Sequence, residues 1–139
     1  MSELARLLAG DLAPGVHSWS SHAAVADVRR EVESAGWQFV HLDTTGVEDK
    51  TGLLDAAAAA FGFPGWFGRN WDALADGLAD VRSERGTLVL WEGSDALATA
   101  NEEQLAIALE IFRDRCESTL GGAFAVLVRE EPEPLARDA

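Results

Sequence analysis

Apolar positions fall along this chain in two rhythms. Three stretches are apolar almost without interruption: WQFVHLD at 37–43, TLVLW at 87–91 and AFAVLV at 123–128. Runs of this kind, with no polar alternation, are the signature of strands covered on both faces in a parallel sheet. Between them the period changes to that of helices. Val25, Val28 and Val32, with Arg29, Arg30 and Glu31 interleaved, trace one helical face that Gly36 stops. LLDAAAAAF at 53–61 predicts a short helix whose alanines permit close packing, ended by Gly62 and Pro64. Asn70 is a favourable N-cap and predicts a helix running to about Val81. Asn101 opens another helix, with Glu102 and Glu103 in its first turn and Gln104 at the capping-box position. Leu105, Ala108, Leu109, Phe112 and Cys116 share one of its faces, and Gly121 and Gly122 mark its stop.

Strands alternating with helices predict an α/β fold of three layers: a small three-stranded parallel sheet flanked by helices, four-stranded if residues 16–20 join as an edge strand. Residues 1–36 read as an N-terminal extension, made of a short helical or loose arm up to Pro14 and Gly15, that edge strand, and the valine-faced helix. Residues 37–128 read as the main domain. Residues 129–139, polar and proline-containing, read as a disordered acidic tail.

Composition narrows the function. At 139 residues the chain has the length of one domain, and its 47% apolar content excludes wholesale disorder. The net charge of −13 argues against phosphate backbones and anionic membranes as partners, because both demand a basic surface; it suits a basic partner, and a purely solubilising charge is the competing reading. No apolar run approaches the ~18 residues that span a bilayer. The single cysteine, Cys116, permits no internal disulfide and is expected to act as a small buried hydrophobe, which suits the cytoplasm.

The usual catalytic signatures are missing. Lys50 is the only lysine, so a P-loop is excluded, and Gly62, Gly65 and Gly68 follow no strand. His17, His22 and His41 lack metal-ligand spacing, and there is no nucleophile elbow. The expectation is a protein that is not an enzyme and carries no metal or cofactor.

The stretch GFPGWFGRNWDALADGLAD at 62–80 holds the unusual feature. At 100° per residue, Trp71, Leu74, Leu78 and Val81 fall in one sector of its helix and Asp72, Asp76 and Asp80 in the opposite one. Ala73, Gly77 and Ala79 lie around the acids and are too small to shield them. Carboxylates at i and i+4 sit about 5–6 Å apart and could in principle hold one divalent cation or work as an acid–base pair. Acid–base hydrolysis, however, needs its two acids across a cleft, with one raised in pKa by burial. A plain solvated face is the competing reading, although such faces more often mix charge signs. Gly77 costs helix stability and points to a close approach by some other group.

FPGWFGRNWDALADGL resembles the signature of the barstar family, intracellular inhibitors of the ribonuclease barnase. FVHLD and TLVLW are similar to its first strands, IFRD at 111–114 to its last helix and FAVLV to its final strand, so that the resemblance covers about residues 37–128. It implies an inhibitor of a small basic ribonuclease, with the loop and helix as its inhibitory surface. By this resemblance Asp76 enters the nuclease active site at a phosphate position, and Asp72 pairs with the enzyme's arginines. Trp66 and Phe67 lie over catalytic residues, Gly68 and Asn70 set the loop geometry, and Asp114 stands at the rim. Ala73 and Asp80 belong to the same face. Two positions depart from the type member: Ala75 replaces a tryptophan and Arg69 an acid, which points to a target other than barnase itself. A non-inhibitory acidic interaction module on the same fold is the alternative.

Overall fold

The computed structural model describes residues 2–65, 67–118 and 120–129; of the tail expected at 129–139, Arg129 instead closes the last strand and 130–139 lie outside the described residues. Four strands form one sheet in the order β1-β4-β3-β2, with β1 at Val16–Trp19, β2 at Gln38–Asp43, β3 at Gly86–Glu92 and β4 at Ala123–Arg129. Every neighbouring pair is parallel. The edge strand joins through the register Val16↔Val126 to Trp19↔Arg129, so the sheet has four strands and not three.

Side chains alternate across this sheet and each face has its own core. Val40, Leu42, Val89, Trp91, Phe124 and Val126 point to one side. They are covered by α3 (Lys50–Phe61), α4 (Trp71–Ala79), α5 (Asp95–Ala100) and α6 (Glu102–Glu117). Trp19, Phe39, Leu88, Leu90, Ala125 and Leu127 point to the other side, under α1 (Glu3–Ala9) and α2 (Val25–Ser34). Leu4 and Leu7 of α1 and Val28 and Val32 of α2 are buried there, so residues 1–36 supply both the edge strand and this helical layer. The result is a three-layer α/β fold with a central β3 buried from Gly86 to Trp91.

Local chemistry explains most boundaries. Asp49 caps α3 by accepting from the Gly52 N–H at 2.8 Å, which starts that helix earlier than its leucines announce. The capping box expected at Asn101 does not form. The Asn101 N–H that a Gln104 side chain would bond instead donates to Leu97 O at 2.8 Å, because α5 ends there and α6 begins. Gln104 Oε1 is left buried with no partner among the described residues. The α6 helix ends at Glu117 with Ser118 as its cap, before the two glycines. Across the sheet, Glu92 of β3 links His41 of β2 (Nε2 to Oε1, 2.7 Å) to Arg129 of β4 (Nε to Oε2, 3.0 Å). Arg129 Nη1 also donates to Ser21 O and Ala23 O at the entry to α2, tying the two layers together.

Candidate functional site: an acidic helix and its loop

The α4 helix is pinned from its apolar side. Leu74 and Leu78 are fully buried, and Trp71 and Val81 pack against the same core. Asn70 Oδ1 accepts from the Ala73 N–H at 2.7 Å, closing the first turn, and Asp72 sits in that turn, where a carboxylate complements the helix dipole. Asp72, Asp76 and Asp80 are all exposed on the opposite face. No ion pair involves any of them among the described residues.

The preceding loop folds back onto this helix. Phe63 stacks on Phe61 at 5.5 Å between ring centroids and packs against Phe67 at 4.8 Å. A Cβ on Gly77 would come within 2.7 Å of the Phe63 ring, so the group that Gly77 admits is Phe63 of the same chain. At Gly68 a Cβ would stand 3.2 Å from Asn70 Nδ2 and 3.6 Å from Ala73 Cβ, which makes this a tight corner at the helix entrance. Phe67 is only 8% exposed and belongs to the core, so its ring supports the loop from beneath. Trp66 lies outside the described residues.

Two concavities flank α4. One, of about 290 Å³, is lined by Phe63, Pro64, Phe67, Gly68, Ala73, Asp76, Gly77 and Asp80. It brings five sequence-predicted residues (Phe67, Gly68, Ala73, Asp76 and Asp80) to one place. The other, of about 360 Å³, runs between α4 and α6 and includes Ala75, Ala79, Asp80, Ile111, Asp114 and Leu120. Asp114 is exposed on α6 and reaches the site only through this second groove. Arg115 staples the two helices: Nε donates to Leu78 O at 2.9 Å and Nη2 to Val81 O at 2.8 Å, with the guanidinium 4.6 Å from the Phe124 ring centre. Burial holds its pKa below the usual arginine range.

A family model described as Barstar (barnase inhibitor) matches residues 37–132. The chain belongs to the barstar family. No match emerges among curated proteins. The family match begins just before β2, whereas β1, which forms the sheet's edge, and α1 and α2, which form the second helical layer, precede it.

Against the barstar pattern, the two departures have different surroundings. Arg69 is not a free cation at the edge: its Nε lies 2.6 Å from Asp55 Oδ1 on α3, its Nη1 donates to Phe67 O at 2.8 Å, and its guanidinium lies over the Phe67 ring. Ala75 is exposed and opens the α4–α6 groove. Sequence reasoning missed Phe63 as the partner of Gly77, Asp55 as the partner of Arg69, and the groove walls Ile111 and Leu120. The glycine inside a helix was the one available signal, and it named a contact without naming what makes it.

Other chemistry is sparse. No group of three or more His, Cys, Asp or Glu side chains arranged to hold a metal is found among the described residues. No helix is long and apolar enough to cross a membrane among them either. Burial pushes the Cys116 thiol up to about 12, so it remains protonated at neutral pH.

Proposed function

We propose that this protein inhibits a small basic ribonuclease by seating α4 and its loop in the enzyme's active-site cleft. The observation that carries this is an acidic face unpaired among the described residues: exposed Asp72 and Asp76 on a helix whose other side is locked into the core, and exposed Asp80 at its C-cap. A ribonuclease cleft is lined with Arg, Lys and His to hold a polyanion, and carboxylates on a rigid helix satisfy those cations without being cleaved. Arg–carboxylate pairs are charge-assisted and often bidentate. Asp76 and Asp72 are the central acids of this reading, Asp80 and Asp114 extend it, and Gly68, Asn70 and Ala73 hold its geometry. The family's description as a barnase inhibitor supports the target class.

On this reading the protein has no catalytic role, binds protein and not nucleic acid, and acts in the cytoplasm. The −13 net charge repels RNA and attracts a basic enzyme. Arg69 is compatible with it, because Asp55 already matches that charge.

The test is titration of the purified protein into RNA-cleavage assays of barnase and of a panel of small basic ribonucleases. Stoichiometric loss of activity for at least one of them is expected, together with a stable complex on gel filtration. Full activity of every enzyme at a tenfold excess of the protein would overturn the proposal.

A further inference from the structure

The α4–α6 groove is lined by Ala75, Leu78, Ala79, Ile111 and Leu120, and Leu120, at 74% exposure, is the large hydrophobic side chain left open among the described residues. Its lining charges balance in number, two carboxylates (Asp80 and Asp114) and two guanidiniums (Arg82 and Arg115), with no ion pair between them among the described residues, and Arg115 is turned onto the carbonyls of Leu78 and Val81. A groove with an apolar floor and no net charge favours an uncharged apolar guest, since a cationic one would meet two guanidiniums as well as two carboxylates. Asp80 lines this groove and the Phe63–Gly68 concavity alike, so the groove continues directly from the acidic face. Whatever docks on that face therefore carries cations beside the groove.

We infer that the groove is the specificity pocket of this inhibitor, receiving one large apolar side chain, best an aromatic one, that projects from the ribonuclease between basic residues. The inference rests on the proposed inhibitory face. It adds that recognition has two parts, cations on Asp72 and Asp76 and an apolar anchor beside them. Such buried anchors commonly dominate the selectivity of an interface. The width left by Ala75 and Ala79, one turn apart on α4, is what selects for the anchor.

The test needs no cognate enzyme. The isotope-labelled protein is titrated with the peptides acetyl-Lys-Trp-Lys-amide and acetyl-Lys-Gly-Lys-amide, and amide shifts are followed. The tryptophan peptide is expected to move Ala75, Ala79, Ser118 and Leu120, saturating at millimolar concentration, while the glycine peptide moves only the aspartates. Ala75→Trp, which fills the groove from within at an exposed site, is expected to abolish the first set and keep the second. Equal shifts from both peptides, or none in the groove, would overturn the inference even if a ribonuclease is inhibited. Groove shifts that grow with protein concentration alone would seat a second copy there and overturn it as well. Failure of every ribonuclease assay would instead sink the inhibitory reading on its own.

Discussion

Gly77 gives up helix stability so that the Phe63 ring can lie against the helix backbone. Alanine is better than glycine in a helix interior by about 0.5–1 kcal/mol, whereas forcing a methyl into a packed contact costs about 1–3 kcal/mol. Phe63 is held between Phe61 and Phe67, so it has little room to yield. Gly77→Ala is therefore expected to lower stability by on the order of 1 kcal/mol, read as a lower urea midpoint. A raised midpoint would show that the ring swings aside freely and that the loop is not anchored there. At this scale the sequence revealed charge and size but not contact. Asp55 and Arg69, separated by 14 positions, carry no shared periodicity, and only the folded loop brings them to 2.6 Å.

Elements were more legible than contacts, because an apolar rhythm is written into the chain itself. The three unbroken apolar runs became β2, β3 and β4, and the asparagine-led amphipathic stretch became α4 with its cap in place. Where the reading slipped, short-range competition was the cause. The six-residue α5 is too short to show a period, and by ending at Asn101 it takes the N–H that the expected capping box required. The acidic face of α4 was legible down to its individual positions, since three acids at every fourth residue must share a side. The α4–α6 groove was not, because it depends on how two helices distant in sequence lie against each other.

Across the whole molecule, α1 and α2 cover one face of the sheet and the remaining helices cover the other. This leaves α4 packed through Leu74 and Leu78 on a framework with a core on each face of the sheet. Charge acts at the same scale. With −13 net charge facing a basic enzyme, encounter is expected to be steered over distances that a Debye length of about 10 Å at 0.1 M salt cuts short. Stopped-flow association rates with a ribonuclease that binds the protein should fall steeply as salt rises, and a flat profile would contradict steering. The central claim is that Asp76 serves the complex and not the fold. Asp76→Ala, measured beside Glu31→Ala, tests it most directly, because Glu31 is also an exposed acid, on α2 in the opposite layer. Removing one member of a buried charge pair costs about 2–5 kcal/mol, a range informed by the barnase–barstar pair itself and so not independent of the family. Asp76→Ala is expected to keep its thermal midpoint and to weaken inhibition by about 30-fold or more, with Glu31→Ala matching the parent in both. Unchanged inhibition by Asp76→Ala, or unfolding of that variant alone, would contradict the account.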